Sequence, residues 1–368
     1  MVLQSFIKKP YIKPRYPNFS CGPTNKLPGW NLSSLKTINL SRYHRSKRVK
    51  IYINTVIQKL RYVLKIPKSY EIMITPGSCT GAMESVIWSL FTKKKKITNI
   101  VYDYWGQQWA SEINKLGLNQ NILKSLNGTM PSLERISLDD DLIFVWTGTS
   151  TGMSIDNCKW IKNNNDRIVV CDATSAAFIY HLEWDKLDAT VFSWQKALGS
   201  EAQHGIVVLS PKAQERLKSQ KKKNIPKTLN LNMKDAPINT PSLLCFTDFD
   251  FALDWFKKSG GVDWSYKYCK GNKKLLDMWI KENNYLSYFC KKTKFQSISP
   301  CYFRLNNTES SKKLKKIILF LEKEKIAYDI ESYRKAAFGI RIWNGPTILK
   351  NDLTILTNWL DWSFENIT

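Results

Sequence analysis

The sequence predicts an α/β fold with a mostly parallel β-sheet, followed by a smaller α+β domain. Up to about residue 260, short apolar runs of strand length alternate with helical segments, which is typical of parallel sheets covered by helices. From Phe251 onward, longer helices with short strands between them replace this alternation. The chain has 368 residues, enough for two domains that each bury a core.

The predicted elements of the first part follow in chain order. Its strand candidates are short and mostly apolar, as expected of strands buried on both faces. They cover residues 72–75, 99–102, 142–146, 168–171, 189–192 and 206–209. Helical candidates cover residues 81–90, 109–116 and 211–217, and the second part adds helices over 251–259, 272–282 and 310–325. In such sheets, ligands bind at the carboxyl ends of the strands.

The domain organisation predicted from these patterns is an N-terminal extension over residues 1–18, a large domain over 19–255 and a small domain over 256–368. No low-complexity linker separates the domains, so we expect them to pack closely. The basic N-terminus lacks the apolar core of a secretory signal, and no apolar stretch approaches the ~20 residues that span a bilayer. We therefore expect a cytoplasmic protein without membrane association.

The charge is strongly positive, with 56 Lys and Arg against 31 Asp and Glu. An excess of cations raises the alternative of a nucleic-acid-binding protein. The lysines lie in short separate runs, however, and no aromatic-interleaved RNA-binding signature accompanies them. We therefore interpret the excess as a solvated surface that attracts anionic small molecules and expect no nucleic-acid partner.

The eight cysteines show no C-x-x-C spacing, and the chain has three histidines. This pattern does not provide the ligand spacing of a zinc site. We expect reduced thiols and no bound metal.

An acid and a lysine end two successive strand candidates. Asp172 closes the run Val169-Val-Cys-Asp172, and Lys196 lies in a turn after the next strand. A pyridoxal phosphate site requires this arrangement. The lysine amine bonds to the cofactor aldehyde and needs a lowered pKa, while the carboxylate keeps the pyridine nitrogen protonated.

Two further segments fit such a cofactor. The strand–turn–helix segment 74–90 contains a Pro-Gly turn and a helix start rich in small polar residues, which suits a phosphate group. Segment 102–109 places several aromatic rings just after a strand, where one of them can stack on a flat ring. Taken singly, each segment also fits an ordinary capped helix or a hydrophobic core.

With these residues in view, the chain resembles the phosphoserine aminotransferases, class V members of the fold-type I pyridoxal phosphate enzymes. The strings that carry the resemblance occur in the same order and extend over nearly the whole chain; they are residues 19–30, 43–47, 172–178, 192–205, 238–242 and 338–343. The resemblance implies a seven-stranded, mostly parallel sheet between helices in the large domain.

The resemblance also assigns roles to individual residues. It makes Lys196 the covalent lysine and proton shuttle and Asp172 the partner of the pyridine nitrogen. It places Trp109 on the cofactor ring, with Trp105 as the alternative one helical turn away. The remaining cofactor contacts that it implies are backbone N–H groups of Ser78 and Cys79 at the phosphate, Thr149 at the ring hydroxyl, Gln195 beside the phosphate, and Asn239 and Thr240 from a neighbouring subunit.

The implied substrates are L-glutamate and 3-phosphohydroxypyruvate, used in L-serine biosynthesis by a homodimer with shared active sites. A role in pyridoxine biosynthesis stays open. Arg341 matches the arginine that binds the substrate carboxylate, because a guanidinium binds oxyanions through two parallel hydrogen bonds. His44, Arg45 and Arg334 are candidates for the phosphate or the distal carboxylate.

Three alternatives stay open at this point. An alanine–glyoxylate or serine–glyoxylate aminotransferase keeps the fold and changes the substrate. A cysteine desulfurase requires a reactive cysteine on a mobile loop, and no evident motif of that kind occurs. A basic nucleic-acid-binding protein with a vestigial site would bind polynucleotides with a steep salt dependence.

Overall fold

The computed structural model describes residues 8–35, 42–162, 166–220, 224–232, 239–307, 311–333, 336 and 338–367. Its main feature is a seven-stranded sheet. Across the sheet the strands are β1 (Glu71–Pro76), β9 (His204–Leu209), β8 (Ala189–Phe192), β7 (Val169–Asp172), β4 (Asp141–Val145), β2 (Ile97–Val101) and β3 (Gln120–Lys124). Strand β9 runs antiparallel to its neighbours, and the other six share one direction. The predicted mostly parallel sheet is confirmed.

Both faces of this sheet are buried, which explains why its central strands are mostly apolar. In β4, Leu142 and Phe144 belong to one hydrophobic core, whereas Ile143 and Val145 belong to a second core on the opposite face. Five helices cover the two faces of the sheet and complete the two cores. They are α1 (Lys47–Val63), α2 (Ser78–Leu90), α3 (Tyr104–Lys115), α4 (Pro211–Ser219) and α5 (Leu243–Lys258). Helix α2 contributes to the second core and α1 to the first.

The C-terminal part is an α+β unit. Its antiparallel sheet contains β10 (Leu286–Tyr288), β11 (Cys301–Leu305) and β12 (Gly339–Ile342), and its helices are α6 (Gly261–Glu282), α7 (Ser311–Lys323) and α8 (Lys350–Asn366). A two-stranded hairpin of β5 (Thr147–Gly148) and β6 (Met153–Ser154) follows β4. The predicted boundary at residue 255 falls inside α5, and the division into domains stays a prediction.

Several elements of the structure have no counterpart among the predicted ranges, among them α1, α8, β3 and the hairpin strands β5 and β6. Strand β3 lies at the sheet edge, and its polar residues are partly exposed, so it lacks a continuous apolar run. Helices α2 and α3 begin earlier than predicted, at Ser78 and Tyr104. These earlier starts bring the first turns of both helices to the carboxyl end of the sheet.

The N-terminal segment from residue 8 lies along the C-terminal unit. The carboxylate of Asp352 accepts hydrogen bonds from the backbone N–H of Arg15, at 2.9 Å, and of Tyr16, at 3.2 Å. Trp343 donates its backbone N–H to the carbonyl of Phe19, at 3.0 Å. This path carries the chain to the end of the large sheet. Of the helices in the described ranges, none is apolar over a length that would cross a membrane.

Candidate active site

A cavity of about 150 Å³ lies at the carboxyl ends of β4, β7 and β8. Ligand sites of open α/β sheets are expected at this edge. The lining residues come from both parts of the chain and from the N-terminal segment; they are Cys21, Gly22, Ser78, Cys79, Thr80, Trp105, Val145, Thr147, Thr149, Asp172, Thr174, Ser175, Gln195, Lys196, Tyr333 and Arg341.

Asp172 is the last residue of β7, and its side chain accepts from three donors, one of which is the Cys79 thiol at 3.5 Å from Oδ1. Trp109 donates its indole Nε1–H to Oδ2 at 3.0 Å, and Thr174 donates its backbone N–H to Oδ1 at 3.0 Å. The residue is 3% exposed. The carboxylate is therefore fixed in orientation at the cavity wall before any ligand binds.

Lys196 follows β8, the parallel neighbour of β7, so both predicted residues reach the same cavity. Its Nζ donates a hydrogen bond to the carbonyl of Cys21. Burial lowers the pKa of the Lys196 amine, and the nearby charge of Arg341 lowers that pKa further. A lowered pKa favours the neutral amine, which is the nucleophilic form.

The N-terminal segment shapes the space around Lys196. Thr24 donates its backbone N–H to the carbonyl of Gln195 at 3.1 Å, which ties this segment to the lysine turn. A Cβ atom at Gly22 would lie 2.6 Å from Lys196 Nζ, and Gly22 has a φ of +138°. Only glycine leaves room for the lysine side chain at this position.

The first turn of α2 forms another wall. Ser78 accepts a hydrogen bond at Oγ from Gln195 Nε2, at 2.8 Å, whereas Gln195 Oε1 is buried without a partner. The backbone N–H of Ser78 donates to the carbonyl of Gln203 at 3.2 Å. The predicted N–H donor at Ser78 is therefore engaged within the protein, and the residue presents its hydroxyl to the cavity instead.

Close packing of α2 on β9 sets this geometry. A Cβ atom at Gly205 would lie 2.2 Å from the carbonyl oxygen of Ser78. Glycine at position 205 therefore allows the helix start to approach the strand. Cys79 and Thr149 also line the cavity. The hydroxyl of Thr149 forms a hydrogen bond with that of Ser175 at 2.7 Å.

The structure favours Trp105 over Trp109 as the ring wall of the cavity. Trp109 is 1% exposed, is not among the lining residues and uses its indole to hold Asp172. Trp105, one turn earlier on α3, lines the cavity and stacks on Trp109 with ring centroids 5.7 Å apart. The primary expectation placed Trp109 there. In this structure the second turn of α3 lies against the sheet, while the first turn reaches its edge; the contact of either ring with the cofactor stays a prediction.

Arg341 enters the cavity from β12. It is 8% exposed, its Nε is buried without a hydrogen-bond partner, and its guanidinium lies 5.0 Å from the ring centroid of Tyr333. An unpartnered, buried guanidinium N–H is a donor poised for an anionic ligand.

The other predicted substrate and phosphate residues lie elsewhere in this chain. His44 is buried and Arg45 exposed just before α1, and neither lines the cavity. Asn239 and Thr240 are exposed and also lie outside it. Arg334 falls outside the residues that the structure describes.

Sequence reasoning missed several residues of the wall, among them Cys21, Gly22, Thr174, Ser175 and Tyr333. Thr174 and Ser175 directly follow Asp172, and that adjacency could have identified them. Cys21 and Gly22 lie within one of the matched strings, which offered a weaker signal. Tyr333 comes from the distant C-terminal part, and no local pattern points to it.

The two thiols of the cavity bear on the desulfurase alternative. Burial raises the pKa of the Cys21 thiol, and burial together with Asp172 raises that of Cys79 well above its ordinary value. Neutral thiols are poor nucleophiles, which disfavours a cysteine desulfurase. Over the described ranges, no group of His, Cys, Asp and Glu side chains could hold a metal ion.

Asp103 caps the N-terminus of α3, and its carboxyl group makes the stability of the fold depend on pH. Its Oδ1 accepts the backbone N–H of Gly106 at 2.8 Å, while Oδ2 is buried without a partner. Burial raises the pKa of this carboxyl to about 7. Between pH ~4 and ~7 the folded state holds a proton that the unfolded state releases, so stability falls as the pH rises through this range.

Replacement of Asp103 by asparagine keeps the cap and removes this titration. As the pH rises from ~5 to ~8, we expect the unfolding free energy of Asp103→Asn to increase by about 2.6 kcal/mol relative to that of wild type, measured by urea unfolding. Other groups titrate equally in the two proteins, so their contributions to the pH dependence of stability cancel in the comparison. One of them is His204: burial lowers its pKa to about 4, so its contribution to stability increases as the pH rises. A gain of the same size for Asp139→Asn, at an exposed acid, would contradict this assignment.

Comparison with known proteins identifies the family. The model of class-V aminotransferases matches residues 33–329. The chain is 35% identical to the phosphoserine aminotransferase of Methanosarcina mazei, over 97% of this chain and 99% of that one. The chain belongs to the phosphoserine aminotransferase family of class V. A second phosphoserine aminotransferase, from Methanosarcina barkeri, is 36% identical over 97% of this chain and 99% of its own.

Solved structures of phosphoserine aminotransferases share the fold. The Cytophaga hutchinsonii protein superposes with a TM-score of 0.81 at 20% identity, covering 96% of this chain and 99% of that one. The sequence predictions of an α/β fold of this type, of the phosphoserine aminotransferase family and of a transaminase are confirmed.

Proposed function

We propose that this phosphoserine aminotransferase transfers an amino group between L-glutamate and 3-phosphohydroxypyruvate, giving O-phospho-L-serine and 2-oxoglutarate. Pyridoxal phosphate is its cofactor. The observation that carries the proposal is the convergence of Asp172, Lys196 and Arg341 on one cavity. An amine, an oriented acid and an oxyanion donor are the groups that this reaction requires.

The residues present fit the cofactor. When bound, pyridoxal phosphate supplies an aldehyde that bonds to amines and a ring that withdraws electrons from the neighbouring carbon. Asp172 would hold the ring nitrogen, Trp105 would cover the ring, and Ser78 and Gln195 would hold the phosphate at the start of α2. The Nε2–H of Gln195 and the hydroxyl of Ser78 are donors suited to phosphate oxygens, and the space that Gly22 leaves around Lys196 accommodates the lysine side chain.

Lys196 moves the proton in this scheme. Once the substrate amine has taken its place, Nζ is a free amine, and the lowered pKa keeps it neutral and able to accept the proton from the substrate α-carbon. The carbonyl of Cys21 accepts from Nζ and holds the side chain on the cavity side. The same amine then returns the proton to the accepting carbon.

Arg341 binds the α-carboxylate of the substrate, which orients the α-carbon towards Lys196.

Two observations support a contribution from a second subunit. Asn239 and Thr240 are exposed and lie outside the cavity of their own chain, as does Arg45. We place these residues in the active site of the other subunit of a homodimer, at the cofactor phosphate and the substrate phosphate. The cytoplasmic location stays a prediction.

The substrate pair tests the proposal. With purified enzyme and saturating cofactor, we expect kcat/KM for 3-phosphohydroxypyruvate with glutamate to exceed that for glyoxylate with alanine at least about a hundredfold, because the phosphate has dedicated cationic partners. Coupled assays of 2-oxoglutarate and of pyruvate measure the two reactions. A preference for glyoxylate and alanine would favour the alternative class V activity.

Trp105 offers a test of the cofactor wall. Removal of its ring in Trp105→Ala is expected to raise the dissociation constant for the cofactor about tenfold, since an aromatic stack contributes about 1 kcal/mol beyond its buried area. Trp105→Phe, which keeps a ring, should lose much less. Dialysis followed by titration of the cofactor absorbance measures both. Equal losses in the two variants would contradict a stacking role.

A further inference from the structure

A second cavity, of about 560 Å³, lies between the large sheet's amino edge and the C-terminal unit. Its walls come from the loop after β3, the segments before β7 and the 3₁₀ turn at Thr293–Phe295. The lining residues are Met130, Pro131, Ser132, Leu133, Glu134, Ile136, Leu138, Trp160, Lys162, Arg167, Lys292, Lys294 and Phe295.

Arg167 is the buried charge of this cavity. It is 2% exposed, its Nη2 donates to the carbonyl of Ser137 at 3.3 Å, and its Nε is buried without any hydrogen-bond partner. No carboxylate of the described residues forms an ion pair with it. Burial lowers the pKa of the Arg167 guanidinium, while the charges of Asp141, Asp140 and Asp188 oppose this shift from a distance without forming an ion pair. A guanidinium in this state lacks an anionic partner, which a ligand can supply.

The carboxylates whose charges act on Arg167 form their ion pairs and hydrogen bonds with other side chains. Asp141 pairs with Arg216, with Nη1 and Oδ2 2.5 Å apart, and Asp188 pairs with Lys212 at 2.9 Å. Asp140 accepts the hydroxyl of Thr98 at 2.7 Å. These bonds leave the carboxylates near Arg167 satisfied and its Nε unused.

The rest of the wall is amphipathic. Three exposed lysines, Lys162, Lys292 and Lys294, add positive charge, against the single acid Glu134. Between them lie apolar side chains, notably Trp160, which packs edge-on against Phe144 with centroids 5.3 Å apart. A cavity of this size with a cationic lining and apolar walls suits an organic anion.

We propose that this cavity binds a small organic anion, with a phosphate or carboxylate group at Arg167 and an apolar body against Trp160. The site is separate from the catalytic cavity. Arg167 precedes β7 and Asp172 ends it, so about 16 Å of extended chain lies between them. The proposal stands independently of the substrates of the transamination.

The test uses the cofactor-loaded enzyme and phenyl phosphate as the probe, titrated by isothermal calorimetry. We expect saturable binding at least about tenfold tighter than that of inorganic phosphate, which lacks the apolar body. Lys292→Gln combined with Lys294→Gln should weaken it about tenfold, because two attractive charges are lost. Lys291→Gln, an exposed neighbour that does not line the cavity, is the matched control and should bind as wild type.

Arg167→Met should abolish the binding, and the lysine variants keep the test valid if that buried substitution prevents folding. Arg341→Gln, which alters the catalytic cavity, should leave the binding unchanged. Loss of binding in Arg341→Gln would move the probe to the catalytic cavity and overturn the proposal. So would equal affinities of the lysine pair and its control, an affinity for inorganic phosphate equal to that for phenyl phosphate, or no saturable binding.

Discussion

Replacement of Lys196 by alanine is expected to lower kcat at least about 10⁴-fold, since the side chain acts both as the covalent amine and as the carrier of the α-proton. Lys196 is the lysine that lines the catalytic cavity, and its lowered pKa suits both roles. Stopped-flow measurement of each half-reaction, with glutamate alone and with 3-phosphohydroxypyruvate, separates the chemical steps from release of product.

The control for this substitution is Lys218→Ala, an exposed lysine in the last turn of α4. It should retain wild-type kcat. Circular dichroism and sedimentation should show that Lys196→Ala keeps the fold and the assembly of the wild type. Turnover by Lys196→Ala within about tenfold of wild type would be incompatible with its assigned chemistry.

Asp172→Asn is the second substitution with a large expected effect, a loss of about 10²–10³ in kcat. The side chain keeps its shape and an oxygen that can accept from Trp109 or Thr174, so the fold should survive. What disappears is the negative charge that keeps the cofactor nitrogen protonated and its ring electron-withdrawing. Steady-state kinetics at saturating cofactor measures the loss in kcat.

Trp109→Phe separates charge from orientation at the same carboxylate. It removes the 3.0 Å hydrogen bond to Asp172 and keeps both the acid and a ring in the core. We expect a loss of about tenfold, as one positioning hydrogen bond to a charged group contributes about 1.5 kcal/mol. If Asp172→Asn were no more damaging than Trp109→Phe, the charge of Asp172 would have no special role.

Much of the fold was predictable because the sheet is buried on both faces. The short, mostly apolar runs at β4, β7 and β8 are typical of central strands, and the structure places all three there. The edge strand β3 could not be found in this way, since one neighbour and solvent exposure permit polar residues. The antiparallel direction of β9 depends on the path of the chain between distant elements, which no local pattern encodes.

The candidate site was predictable where chain order and strand order coincide. Asp172 and Lys196 end strands that follow each other in sequence and lie side by side, so their meeting follows from topology. The choice between Trp105 and Trp109 depends on how far along α3 the cavity reaches, which residue types and spacing do not encode. Tyr333 and Gly22 reach the cavity through long-range packing, which residue types and spacing do not reveal.

The most direct test of the account is to trap the covalent bond between enzyme and cofactor. Borohydride reduction of the loaded enzyme, followed by proteolysis and mass spectrometry, locates the modified lysine. We expect a single pyridoxyl-modified peptide, carrying the added mass on Lys196. Modification of a different lysine, or a loaded enzyme that shows no modified lysine after reduction, would contradict it.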